Sequence, residues 1–425
     1  MDGISEHIVI SRHRPARARP TGDRCRRMIT QASVRDPRLS LARCATSWVF
    51  FANGAALGSW VPHIPDAKQA LDLGEGALGL ALLGMAAGSL VGLPLSGFFT
   101  AKFGSRKTTT AAILALLVAT PLPLLAPSLP VFAAALILLG TANGAVDVAM
   151  NAQAIAIEAR AGRAIMSSFH GLFSAAGLVG AAVAGAAMSF GIRAVPHLLA
   201  SVALLSCVTL VAVRFLQPTE PAAAHITQFH LPRGPLIALG VLTLGSLLAE
   251  GAIGDWSAVY LRDDLGADAG YPALGFAGFS LAMAIGRFAG NRMLRRYGGP
   301  LVLGLGTAMA ALMITAALIA SMPLAALISF AAVGLGLANA VPILFSAAGR
   351  MPGTPPELAI AAVSIIGYFG FLFGPPAIGL VAERFGLATG LGVIALALAV
   401  VSLGTAGALS EGAEKRWMVS LSAWK

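Results

Sequence analysis

Leu247-Leu248-Ala249-Glu250-Gly251-Ala252-Ile253-Gly254-Asp255-Trp256 sets two carboxylates inside an apolar run that covers residues 235–261. A helix that crosses a bilayer needs about 20 apolar residues at about 1.5 Å rise each, and this run is long enough. An acid near the membrane centre costs about 2.5–3.5 kcal/mol even on the lenient insertion scale, so it faces a wet cavity or a partner. Five residues at about 100° each place Glu250 and Asp255 about 140° apart, on different faces. Glu250 is in line with Gly254 and Ser257, and Asp255 with Gly251 and Val259. Each acid thus has a glycine on its own face, where a backbone or a solute can come close. The rest of the chain is expected to build a pathway past this helix.

The composition agrees. Of 425 residues, 57% are hydrophobic and only 11% charged, with mean hydropathy +0.81. Soluble domains carry about 25% charged residues. Long continuous apolar runs, in place of short alternating ones, exclude an outer-membrane barrel and predict an all-α polytopic membrane protein. Net charge +10 does not signal a nucleic-acid partner: ten of the 29 Lys and Arg lie in the first 43 residues, and most others sit in short loops. Cys25, Cys44 and Cys207 are odd in number and lack CxxC spacing, so neither a disulfide framework nor a metal site is indicated. No nucleotide-binding motif or cofactor signature is present.

Twelve apolar runs follow one another at 41–61, 76–100, 108–125, 130–157, 165–190, 196–216, 235–261, 271–294, 300–320, 323–349, 358–382 and 387–409. Residues 1–40 read as a disordered Arg-rich cytoplasmic tail, with Met28 as an alternative start, and no signal peptide is indicated. Residues 217–234 read as a cytoplasmic linker in which His225 and His230 are solvated. In the tail 411–425, Trp417, Leu421 and Trp424 share one helical face, as an interfacial helix would require. With the amino terminus inside, inside segments outside the first tail hold 14 Lys and Arg and outside segments hold 4. That imbalance predicts both termini in the cytoplasm.

The chain repeats itself. Trp60 and Trp256 are 196 residues apart, as are Asn143 and Asn339, Ser168 and Ser364, Gly171 and Gly367, and Phe173 and Phe369. Six helices (41–216) followed by six in the same order and sidedness (235–410) form a parallel repeat about an axis along the membrane normal.

At this point the chain resembles the major facilitator superfamily over residues 41 to 410. The loop motif after the second run reads Gly97-Phe98-Phe99-Thr100-Ala101-Lys102-Phe103-Gly104-Ser105-Arg106-Lys107. After the eighth it reads Gly290-Asn291-Arg292-Met293-Leu294-Arg295-Arg296-Tyr297-Gly298. Ala101 and Asn291 stand where the family has Asp, so the latch between halves that this Asp implies is missing its acid. Several blocks are similar more specifically to the bacterial inner-membrane YbjJ-like branch: Ser59-Trp60 with Ile64-Pro65, Asn143-Gly144-Ala145-Val146-Asp147, Ser168-Phe169-His170-Gly171, Asp255-Trp256 with Tyr260-Leu261-Arg262-Asp263, and Gly374-Pro375-Pro376. A Gly-Pro pair in the fifth helix marks antiporters of the superfamily. Here the pair lies in the eleventh, which argues against drug–proton antiport.

The resemblance implies that helices 1, 4, 7 and 10 line a cavity, and those runs hold isolated polar groups: Asn53; Asn143, Asp147 and Asn151; Glu250 and Asp255; Asn339. A spacing of four keeps the three groups of helix 4 within about 80°, as one stripe. The Asn residues serve equally well as glue between helices. His170 is placed within reach of Asp147 and is either a proton relay or a packed ring. Trp60 and Trp256 either stack a substrate ring or anchor the chain at the membrane interface. Ser174, His170 and Asp147 could be drawn as a catalytic triad, but no nucleophile elbow is present, so an enzyme is not expected. The chain is expected to be a secondary transporter of a small-molecule substrate, coupled to protons, embedded as a monomer in the bilayer of the bacterial inner membrane and working by alternating access. A passive facilitator or a drug-efflux antiporter of the same fold are the alternatives.

Overall fold

The computed structural model describes residues 37–162, 165–218, 234–351 and 354–409. The expectations for residues 1–36, for nearly all of the linker including His225 and His230, and for the tail with Trp417, Leu421 and Trp424 lie outside the described residues.

The described chain is helical, without strands. Its long helices are α1 (Pro37–Trp60), α2 (Glu75–Phe103), α3 (Ser105–Ala119), α4 (Leu129–Ala161), α5 (Met166–Ser189), α6 (Ala194–Ala212), α7 (Pro235–Val259), α8 (Tyr271–Tyr297), α9 (Gly299–Ala320), α10 (Pro323–Leu337 continued by Ala340–Gly349), α11 (Pro356–Phe385) and α12 (Leu387–Ala408). Each corresponds to one apolar run. Among the described residues, 11 helical segments are long and apolar enough to cross a membrane. The exception is α1, which is 24 residues long. It begins four residues inside the expected tail and carries Arg38, Arg43, Thr46, Ser47 and Asn53. It is polar because it is central: packed on α4, α5 and α6, it shows lipid little of its surface.

The helices pair in the same way in both halves. In the first six, α1 packs on α5, α2 on α4 and α3 on α4; in the second six, α7 packs on α11, α8 on α10 and α9 on α10. The halves meet along α2·α11 and α5·α8, two contacts that the repeat exchanges. The α2·α11 crossing is close because neither helix has a side chain there. A Cβ on Gly79 would stand 2.6 Å from the Pro375 carbonyl oxygen, and one on Gly379 would stand 2.5 Å from that of Glu75.

Sharp corners join α2 to α3 and α8 to α9. Gly104 (φ 81°) and Gly298 (φ 78°) make them, in a backbone region that other residues rarely adopt. α10 breaks at Ala338 and Asn339. Pro342 lacks the N–H that would bond the Ala338 carbonyl, and its ring crowds that carbonyl. α7 runs on into a π turn, Tyr260–Asp264.

Candidate functional site

A continuous chain of polar contacts crosses the middle of the molecule. On α7, Glu250 Oε1 lies 3.7 Å from Arg287 Nη2 of α8. Arg287 Nη1 donates to Ser174 Oγ of α5 at 2.6 Å, and Ser174 Oγ donates to the His170 carbonyl one turn below at 3.2 Å. His170 Nε2 lies 3.2 Å from Asn151 Oδ1 of α4. Asn151 Nδ2 donates to Asp147 Oδ1 at 3.1 Å. The Tyr368 hydroxyl of α11 also lies beside the Asp147 carboxylate. Because the Asn151 amide nitrogen is spent on Asp147, its oxygen must accept, so a neutral His170 carries its proton on Nε2. The chain passes between the halves twice, through Arg287–Ser174 and through Tyr368–Asp147. Glu250 and Arg287 keep 26% and 20% of their side-chain surface, so protein does not fully enclose the pair.

Two of these residues were missed from the sequence. Arg287 interrupts the apolar run 271–294, and a basic residue inside a span was as clear a signal as the acids. Tyr368 lies in an aromatic-rich stretch of α11, Tyr368-Phe369-Gly370-Phe371, and nothing local singles it out.

The other expected residues are arranged differently. Asp255 is half-buried, with no hydrogen bond or ion pair among the described residues. The glycines beside the acids admit rings, not backbone: Phe371 lies against Gly251 and Phe276 near Gly254. Asn53 is buried and donates to Met150 Sδ at 3.8 Å, tying α1 to α4. Asn339 sits at the α10 break and donates to the Gly286 carbonyl of α8 at 3.0 Å. Asn143 makes no hydrogen bond among the described residues. Trp60 and Trp256 are 1% and 0% exposed. An interfacial anchor needs a wet edge, so interface anchoring is ruled out for both, and Trp256 Nε1 has no partner among the described residues. His170, Ser174 and Asp147 are not linked as a triad, since the imidazole bonds Asn151 and the Ser174 hydroxyl bonds a backbone carbonyl.

The loop motif serves local structure. Arg106 donates to the Arg214 carbonyl at the end of α6, inside its own half, at 2.7 Å. Gly104 and Gly298 form the corners. Gly290 leaves room for Asn339, whose Oδ1 would stand 2.1 Å from a Cβ there. Gly97 has open space beside it. Lys107 and Arg292 make no hydrogen bond or ion pair among the described residues.

At the end of the molecule that carries the α1–α2 and α7–α8 connections, the halves are joined by ions. Arg262 Nη1 meets Asp66 Oδ1 at 2.6 Å. Lys68 Nζ meets Asp263 Oδ2 and Glu75 Oε1, both at 2.8 Å. Glu383 of α11 accepts from the Gly76 amide of α2 at 2.8 Å. Burial alone would raise the Asp66 pKa, but the His63 ring and the Arg262 guanidinium beside it hold it below its usual value. Burial alone would lower that of Lys68, and Asp263 and Glu75 raise it. The π turn puts Arg262 and Asp263 opposite Asp66 and Lys68.

Comparison with known proteins agrees with the fold. Residues 44–256 match the family model described as Major Facilitator Superfamily. An uncharacterized MFS-type transporter of Yersinia pestis is 38% identical over 358 residues, 84% of this chain and 93% of that protein. Membrane protein MosC of Rhizobium meliloti is 35% identical over 368 residues, 84% of this chain and 87% of that one. Among solved structures, a bacterial homolog of the human lysosomal transporter Spinster, inward-facing and occupied, superposes with TM-score 0.71 at 13% identity. The match covers 88% of this chain and 97% of that one.

Proposed function

The chain belongs to the Major Facilitator Superfamily, and on that premise we propose that it carries a small solute across the bacterial inner membrane by alternating access, driven by protons taken up at Glu250. It is a multi-pass membrane transporter of the superfamily; the coupling, the solute class and the orientation are this proposal's own. The YbjJ-like branch is the proposed place within the superfamily. Both termini are cytoplasmic by loop charge, so the ion-paired end faces outward and the described conformation is closed to the outside. A monomer suffices, because both halves of the pathway lie in one chain.

The observation that carries the reading is the Glu250–Arg287–Ser174 contact. Arg287 is shared between a carboxylate of its own half and a hydroxyl of the other. A proton on Glu250 removes the charge that holds Arg287 within its half, and the guanidinium must seek compensation from Ser174, water or the solute. Protonation and the relative position of the halves are thereby linked, which is what coupling requires. Asp147, tied to Tyr368 across the halves, is the second proton-accepting position, and the unpaired Asp255 serves binding or gating. Asn143, Asn53, Asn339, Trp60 and Trp256 belong to the proposed pathway walls, Asn53 and Asn339 through the helix contacts they make.

The test begins with a thermal-shift screen of the purified protein for a stabilising solute. In proteoliposomes, Glu250→Gln should then lose gradient-driven accumulation of that solute while keeping its exchange, because Gln mimics the protonated acid. Accumulation with a normal pH dependence in Glu250→Gln would move the coupling site elsewhere.

A further inference from the structure

Beneath the ion-paired end lies a pair of buried histidines that the proposed pathway does not use. We propose that His63 and His197 form a one-proton dyad that loosens the Asp66–Arg262 contact between the halves when it is protonated from outside. The proposal rests on alternating access but not on Glu250.

The geometry is a directed chain. His63, fully buried, faces Asp66 Oδ2 through Nδ1 at 2.8 Å. Its Nε2 meets His197 Nδ1 of α6 at 2.9 Å. His197 Nε2 lies 3.3 Å from Ser201 Oγ. A bare ring nitrogen would repel a carboxylate, so His63 Nδ1 carries a hydrogen. In the neutral pair His63 Nε2 then accepts from His197 Nδ1–H, and His197 Nε2 accepts from the Ser201 hydroxyl. Every polar atom is satisfied. One added proton is accommodated equally well: His63 Nε2–H donates to His197 Nδ1, and His197 Nε2–H donates to Ser201 Oγ. A second would set two N–H groups against each other at 2.9 Å. The dyad therefore takes one proton and no more.

The direction of the effect follows from the charges around it. On the connection that bears His63 are Asp66 and Lys68, on α2 Glu75, on the π turn Arg262, Asp263 and Asp264, on α11 Glu383, and before α6 Arg193. Asp263 is occupied by Lys68 and Arg262. On the other half, Arg262 meets the same carboxylate as His63. With the halves together, a proton on His63 places a second cation on Asp66 beside that guanidinium. With the halves apart, Asp66 has lost Arg262 and the protonated His63 replaces it. The proton is therefore held better in the open form, and by linkage acid outside favours opening.

Spin labels at Gln69→Cys and Asp268→Cys, both exposed, report the gap in a chain whose Cys25, Cys44 and Cys207 are changed to Ser. No solute is needed. Lowering the pH from about 8 to about 5.5 should raise the long-distance population at least about threefold in the otherwise unaltered chain. The His63→Gln/His197→Gln chain should show the same distances as its parent at the higher pH and no rise. Either the parent not responding, or the double variant responding as the parent does, overturns the proposal. If the double variant does not fold, His63→Gln alone serves, since the added proton sits on His63 beside Asp66 and the Gln amide can donate to Asp66 but cannot take up a proton. Asp66→Asn separates the premises: if it lengthens the distance while pH does not, the contact holds the halves together and the dyad is not its sensor.

Discussion

Asp66 shows how a single residue's environment limits what it can sense. Its folded pKa is lowered, so its contribution is present above the ordinary carboxylate value of about 4 and is lost only as pH falls through the folded one. Lys68 is raised, so its contribution is present below about 10.4 and is lost as pH rises through its folded value. Between those limits both links are formed, and any response near neutrality must come from other groups. Asp66 and Arg262 keep 32% and 22% of their side-chain surface, so the pair is discounted for water. We expect Asp66→Asn or Arg262→Gln to shift the closed-to-open ratio by no more than about fivefold, about 1 kcal/mol. The spin-label distances above measure it, and a complete collapse of the closed population would mean the contact is worth far more.

At the level of elements, the contact of α2 with α11 depends on the absence of side chains. Gly379→Leu would drive a side chain into the Glu75 carbonyl, 2.5 Å from where its Cβ must stand. The α2–α11 crossing would then separate while each half kept its own packing, so the substitution should favour the outward-open form. An engineered Cys pair across the outer end should cross-link more slowly in Gly379→Leu than in its parent, with the melting temperature little changed. Equal cross-linking would show that the crossing tolerates bulk. The break in α10 is of another kind. Pro342 dictates it locally, and Asn339 occupies the resulting turn to reach Gly286 on α8. The equivalent of Asn339 in the first half, Asn143, sits within an unbroken helix and makes no such bond, so the repeat preserves the residue but not its role.

The whole molecule is two similar halves that meet on α2·α11 and α5·α8, joined at one end by ion pairs and at the centre by Arg287–Ser174 and Tyr368–Asp147. Asp66 and Arg262 are themselves 196 residues apart, so the repeat sets equivalent connections face to face. Fusion reporters at Lys102 and at Lys425 should read cytoplasmic, and reporters at Asp66 and Asp263 external. A reporter at Asp66 on the cytoplasmic side would invert the direction of closure and the side from which the dyad is reached.

What the sequence determined by itself is what depends on short-range regularities. A span of apolar residues must satisfy its own backbone as a helix in lipid, so each run became one, and the even spacing of repeated residues showed two copies of six. Glu250, Asp147 and His170 stood out for the same reason, because a polar group in a span has to have a purpose. Their partners were decided only by the tertiary structure. Arg287 reaches Glu250 from 37 residues away and Ser174 from 113, and Asn151 meets His170 across a turn between helices. No spacing along one helix encodes which faces of two helices will meet. The same holds for Trp60 and Trp256: their place near helix ends suggested the membrane interface, and only the packing around them showed that their rings are enclosed by protein.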